Sequence, residues 1–323
     1  MKRQFAVIAL VASGALVFAS GACAQAFPSK PVKLIVPFAA GSATDTMGRT
    51  FGQKISEVLG QPAVVDNKPG ANGLIGAEAV AKAAPDGYTI LIGTNSTNAA
   101  NKSLYKKLPY DQDKDFAPVA FLGSVPLIVA VNNDLPVKTL GDLIAMAKAK
   151  PDYVTYAAAS ASQRVATEML AGMAGIKMVY VPYKSSPNAV TDLMSGQVMV
   201  FTADFAVTLP QVRAGKIRGL AVTSSKRSAM VPELPTVNEA GNLKAYELIA
   251  WFGAFAPTGT PREVIAKLND AINKAAESAD LKTRLAALGV ETSPGTPDTL
   301  AAYVKSETAK WAKAMKDAGI EPE

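Results

Sequence analysis

Ala40-Gly41-Ser42-Ala43-Thr44-Asp45 is the stretch of this chain best suited to chemistry. It follows an apolar run, Val32-Lys33-Leu34-Ile35-Val36, and precedes apolar residues at helical spacing, so it joins a strand to a helix. Small residues let a ligand reach the backbone. The Ser42 and Thr44 hydroxyls and the free N–H groups of a helix opening near Asp45 supply donors without a fixed charge, which is the chemistry of holding an anion. An ordinary turn with Thr44 or Asp45 as the helix N-cap accounts for the same residues.

Two further loops repeat the pattern. Gly93-Thr94-Asn95-Ser96-Thr97-Asn98 follows a strand at 89–92, and Ala159-Ser160-Ala161-Ser162-Gln163-Arg164 follows a strand at 154–157. Both lie at the C-terminal ends of strands, where open α/β sheets place ligands. Arg164 sits just inside a helix start, where its guanidinium suits a two-pronged pair with a ligand carboxylate or, equally, a surface ion pair with a nearby acid. Tyr183 ends a strand at 179–183 and offers its hydroxyl to a cleft. Trp251 and Phe252 read as core aromatic residues of a buried strand, with stacking on a ligand as the alternative.

Other chemistries are excluded by what the chain lacks. Lys2 and Arg3 precede an apolar run over 5–19 and then Ala24-Gln25-Ala26, the pattern of a secretory signal peptide cleaved after Ala26. The run is shorter than the roughly 20 residues a spanning helix needs. A lipid anchor at Cys23 is disfavoured, because Ser20 stands where such signals carry leucine. Cleavage removes the single Cys and lowers the formal charge of +6 by two, and the sequence holds no His. Disulfides, thiolate nucleophiles, Cys/His zinc sites and imidazole triads all fall away, leaving a protein suited to a periplasm.

The lysines are scattered with few aromatic residues between them, which reads as a solvated surface rather than a nucleic-acid site. Gly70, Gly73 and Gly76 have neither dinucleotide nor phosphate-loop spacing. No G-x-S-x-G elbow occurs, and Asp111, Asp113 and Asp115 lack the remainder of a calcium loop. No catalytic residue, metal site or cofactor is expected.

The elements that position these loops alternate. Helices at 46–58 and 74–83 with strands at 32–36, 63–66 and 89–92 make a βαβαβ unit and hence a mostly parallel sheet. A second block begins with an apolar strand at 125–131. It continues through a helix at 140–148 capped by Thr139, strands at 154–157, 179–183, 198–201 and 220–222, and a helix at 189–195. A strand at 251–257 and helices at 261–278 and 297–318 complete the chain. The length suits two domains.

Pro37-Phe38-Ala39-Ala40-Gly41-Ser42, Pro69-Gly70-Ala71-Asn72-Gly73, Pro85-Asp86-Gly87-Tyr88-Thr89, Leu108-Pro109-Tyr110-Asp111, Val181-Pro182-Tyr183-Lys184, Pro235-Thr236-Val237-Asn238-Glu239-Ala240-Gly241 and Ala256-Pro257-Thr258-Gly259-Thr260-Pro261 occur in an order that resembles the Bug family. These are the extracytoplasmic solute receptors of tripartite tricarboxylate transporters. The resemblance implies a two-domain α/β periplasmic binding protein of flytrap type, with mixed sheets and two crossover strands. Domain 1 would comprise 27–124 and 251–323, and domain 2 would comprise 125–250.

It also implies a monomer that captures a small carboxylate and hands it to two membrane subunits. A receptor presenting its ligand to a signalling partner has the same pocket, and an extracytoplasmic enzyme is the third reading. Carried over position by position, the family's binding residues fall on Ala40, Gly41, Ser42, Thr44 and Asp45, on Asn95, Ser96 and Thr97, on Ser160 and Ser162, and on Tyr183 and Asp204. The chain departs from the family at Ala39-Ala40, at Ser185, and at the loop before Arg164, where members usually carry two more residues and a histidine. Arg164 is therefore expected to grip the second carboxylate of a dicarboxylate, aliphatic or aromatic.

Overall fold

The computed structural model describes residues 27–322. Nine strands are present among them: β1 (Val32–Val36), β2 (Ala63–Asn67), β3 (Thr89–Thr94), β4 (Phe116–Asn132), β5 (Thr155–Ala158), β6 (Val179–Pro182), β7 (Val200–Asp204), β8 (Ile217–Val222) and β9 (Ile249–Pro257). The helices are α1 (Ala43–Leu59), α2 (Leu74–Ala81), α3 (Asn101–Leu104), α4 (Leu140–Ala149), α5 (Ala161–Ala174), α6 (Ser186–Met194), α7 (Phe205–Arg213), α8 (Val237–Gly241), α9 (Arg262–Glu277), α10 (Ala279–Ala287) and α11 (Pro297–Asp317).

The strands follow the order β2-β1-β3-β9-β4-β7-β5-β6, with β8 paired to β4 off this path. In the first half β1 runs parallel to β2 and β3, and β9 lies antiparallel between β3 and β4. In the second half β5 runs parallel to β6 and β7, and β4 is antiparallel to β7 and β8. This is the two-domain mixed α/β arrangement expected. Strand β4 belongs to both halves: residues from Phe116 to Pro126 pair with β9, and those from Leu127 onward pair with β7 and β8. The return crossing enters at the same level, since the Leu248 N–H donates to the Thr223 carbonyl at 3.0 Å just before β9.

Strand β4 is 17 residues long, against the seven the sequence pattern suggests at 125–131. Pro118, Gly123 and Pro126 read as breakers. Register shifts at Pro118/Ala120 and Phe121/Gly123 absorb the first two within the β9 pairing.

Helix α1 carries Met47, Phe51 and Ile55 against the sheet, where each is buried. Its N-cap is Ser42, whose hydroxyl accepts from the Asp45 N–H at 3.2 Å, so the helix starts earlier than Thr44 or Asp45 would place it. Helices α7 and α10 carry weak amphipathic patterns and are absent from the sequence reading; α7 even holds Pro210 in its interior. One apolar cluster runs through both halves, and a second fills the space beneath α4 and α8. No helix among the described residues is long and apolar enough to cross a membrane. The expected signal peptide, 1–26, lies outside the described residues.

Candidate functional site

The loop between β1 and α1 is held from behind by Asp45. Its carboxylate accepts from the Gly41 N–H at 3.0 Å, from Arg49 Nε at 3.1 Å and from Asn67 Nδ2 at 2.9 Å, while Asn67 Nδ2 also reaches the Phe38 carbonyl at 3.0 Å. Burial alone would raise the Asp45 pKa, and these bonds outweigh it and hold the carboxyl below its usual range. Gly41 sits at φ +78°, a left-handed conformation that a side chain would strain. Gly41 and Asp45 thus shape the loop, and Ala40 is exposed on its outer side.

With that loop set, Ser42, Ala43 and Thr44 line a small inner cavity of about 20 Å³, room for roughly one water molecule. The first N–H groups of a helix have no intrahelical acceptor. Ser160, Ser162 and Gln163 bring the start of α5 to the same cavity, Ser186 the start of α6, and Asp204 the start of α7. Four helix N-termini therefore converge, each contributing partial positive charge.

The end of β3 closes the cavity with Thr94, Asn95 and Ser96, all buried. Asn95 Oδ1 accepts from the Trp251 N–H at 3.4 Å, but Asn95 Nδ2 and Ser96 Oγ have no protein partner. Buried donors left unpaired in this way await a ligand or water. Thr97 turns inward instead: its hydroxyl bonds Asn98 Oδ1 at 2.6 Å and the Thr94 N–H at 3.0 Å.

Within the cavity wall, Gln163 Nε2 donates to Ser186 Oγ at 2.8 Å, and the Ser160 and Ser162 hydroxyls lie 3.0 Å apart. Asp204 is the one acid in this lining, and burial pushes it up to about 6 against the pull of the Gln163 amide. No Lys or Arg lines the inner cavity.

An outer cleft of about 690 Å³ shares Phe38 and Ser160 with the inner cavity. Arg164, from the first turn of α5, lies over the Tyr180 ring at 4.8 Å and lines this cleft together with Lys184 and Asn72. Tyr183 lines it too, but its hydroxyl donates to Asp192 Oδ2 at 2.8 Å. Burial and that acid raise the phenol to about 12.

The candidate residues thus separate by position. Ser42, Thr44, Asn95, Ser96, Ser162 and Asp204 meet in the inner cavity; Arg164 and Tyr183 line the outer cleft; Ser160 lines both. Ala40, Gly41, Asp45 and Thr97 line neither. Sequence reasoning named the loops that hold Thr94 and Gln163 without singling out either residue, and it passed over Ser186 in the inner wall and Asn72, Tyr180 and Lys184 in the outer one. The Ser185-Ser186-Pro187 helix start was a usable signal for Ser186. Among the described residues, no group of three or more His, Cys, Asp or Glu is placed to hold a metal ion.

Residues 47–320 match the tripartite tricarboxylate transporter family receptor, TctC. The chain belongs to the TctC receptor family. Its relative BugT of Bordetella pertussis is 36% identical over 322 residues, spanning 99% of this chain and 98% of BugT. Among solved structures, R. palustris Rpa4515 with adipate is 37% identical with a TM-score of 0.89, covering 92% of this chain and 100% of its own. MatC (Rpa3494) from Rhodopseudomonas palustris, with bound malate, is 34% identical with a TM-score of 0.85, covering 89% and 99%. The TctC family is one of solute-binding receptors, and its structurally characterised member BugD, 34% identical to this chain, is a periplasmic binding protein.

Proposed function

We propose that this receptor captures a small dicarboxylate, aliphatic or aromatic, in the cleft between its domains and delivers it to the membrane subunits of a tripartite tricarboxylate transporter. The observation that carries the reading is the convergence of four helix N-termini and two unpaired buried donors on a cavity with no cation. Such a seat favours a carboxylate through neutral donors and helix dipoles. Ser42, Thr44, Asn95, Ser96, Ser160 and Ser162 would hold the first carboxylate, and Arg164 the second across the outer cleft. The adipate and malate carried by Rpa4515 and MatC support the ligand class.

The protein acts as an exported monomer, cleaved after Ala26, that binds without turnover. Its domains are 27–124 with 251–323, and 125–250, hinged where the two long strands cross. A thermal-shift screen with adipate, malate and hexanoate tests the reading, because a ligand that binds only the folded state raises its melting temperature. Adipate or malate should stabilise the protein and hexanoate should do so weakly; equal effects, or none, would contradict it. Constant ligand concentration over a day of incubation is expected, and its loss would reveal an enzyme.

A further inference from the structure

Asp204 occupies an unusual place for an anion-binding cavity. It stands at the N-cap of α7, among the starts of α1, α5 and α6, and its side chain makes no capping bond to its own helix. Behind it lies a small apolar space walled by residues such as Met47, Val125 and Leu288. Without ligand, this carboxylate is itself the negative charge that the converging helix ends attract.

Among the described residues, no other charged group compensates it. On α1, Asp45 and Arg49 bond each other and Asn67. On α5, Arg164 lines the outer cleft and Glu168 accepts from the Tyr156 hydroxyl. Asp192 on α6 holds Tyr183, and Arg213 on α7 reaches the Met230 carbonyl. Strands β4, β5 and β9 contain no charged residue, and neither cavity that Asp204 lines has a second titratable side chain.

A ligand carboxylate entering the inner cavity therefore brings a second carboxyl group into a buried space without a cation. Two such groups do not both ionise; they share one proton. We propose that Asp204 receives the ligand as a protonated acid, taking one proton from solvent per ligand and donating its O–H to the ligand carboxylate. The inference rests on the dicarboxylate reading above. The balance is simple: ionised Asp204, one proton and an ionised ligand carboxylate give a neutral acid hydrogen-bonded to a carboxylate, with no other bond made or broken. Burial in the unliganded protein raises the Asp204 pKa to about 6, so the site already disfavours the charged form. The proton thus acts as a second ligand, and Asp204 selects for an acceptor at this seat and against an ammonium group only while protonated.

Titration calorimetry with adipate at about pH 7 and pH 8, in buffers of different ionisation enthalpy, tests this directly, since adipate is fully ionised at both values. The wild-type protein should take up close to one proton per adipate, and its affinity should fall about tenfold between the two pH values. Asp204→Asn, which keeps a donor and removes the titration, should bind with no proton uptake and the same Kd at both pH values. Adipate binding to the wild type without proton uptake would overturn the proposal while leaving the dicarboxylate reading intact. Absence of both adipate and malate binding at either pH would overturn that reading and this inference with it. Tighter binding of aspartate than of malate, abolished in Asp204→Asn, would assign Asp204 to a ligand ammonium and overturn the proton step.

Discussion

Asn72 Oδ1 accepts a hydrogen bond from the Ala161 N–H at 2.7 Å, joining the turn before α2 to the first turn of α5 across the outer cleft. Asn72 is held for this in a left-handed conformation, φ 53° and ψ 37°, which asparagine tolerates better than most side chains. Its amide nitrogen donates to Asn101 Oδ1 at 2.6 Å, and Asn101 Nδ2 returns a bond to the Asn72 carbonyl at 3.2 Å. The side chain is thus fixed from one half of the molecule and spends its acceptor on the other half, a latch between the two.

Asn72→Gly keeps the backbone conformation and removes the latch. Adipate affinity should weaken by about 0.5–1.5 kcal/mol, the usual net contribution of a hydrogen bond, mainly through faster dissociation. Stopped-flow release rates check this. Unchanged release in Asn72→Gly would show that the bond carries no closure energy.

Arg164→Ala should weaken adipate binding by more than about 1 kcal/mol, because a charge-assisted pair is lost. Hexanoate, which lacks the second carboxylate, should bind the variant and the parent alike. Arg164→Lys should not restore adipate binding fully, since an ammonium lacks the planar fork and stacks less well on Tyr180. Calorimetry on the three proteins with both acids decides between this role and a surface ion pair.

Asp204 imposes a cost on the unliganded fold at neutral pH. Its folded pKa, raised by burial to about 6, lies above the unfolded value of about 3.9, so the folded state binds the proton more tightly. Stability linked to this group is complete below the unfolded value and is lost as pH rises through about 6. Asp204→Asn should therefore stabilise the ligand-free protein at pH 8 by about 2 kcal/mol relative to its effect at pH 4. Chemical denaturation at the two pH values measures the difference.

Gly76→Ala should destabilise the protein by about 1–3 kcal/mol, the range for overpacking a tight contact. A Cβ there would stand 2.6 Å from Pro37 Cα and 3.0 Å from the Lys68 carbonyl, backbone atoms with no rotamer to yield. The glycine run at 70–76 thus owes at least this member to the packing of α2 beneath the strand ends, and a denaturant midpoint equal to the parent's would contradict that account.

The βαβαβ opening is legible in the sequence because Gly60, Pro69-Gly70 and Pro85-Asp86-Gly87 punctuate it where the chain turns. The first half of β4 is not, since its Pro and Gly residues act as breakers locally and only the antiparallel partner β9 makes their bulges tolerable. For the site, hydroxyls after strands pointed to Ser42, Ser96 and Ser160. The same signal could not separate Ser96, which lines the cavity, from Thr97, one residue on and committed to its own turn. Gln163, Ser186 and Asn72 gain their places only when α5 and α6 meet the first half of the molecule, a relation no local spacing encodes. Asp204 entered through the family resemblance alone; what makes it notable, burial without a cation, is a property of the assembled cavity.

A crystal structure of the protein with adipate tests the central claim most directly. One carboxylate should lie in the inner cavity within about 2.7–3.2 Å of donors from Ser42, Thr44, Asn95 or Ser96, with the other paired to Arg164. Adipate bound with both carboxylates outside that cavity, or with its charge met by surface lysines alone, would contradict it.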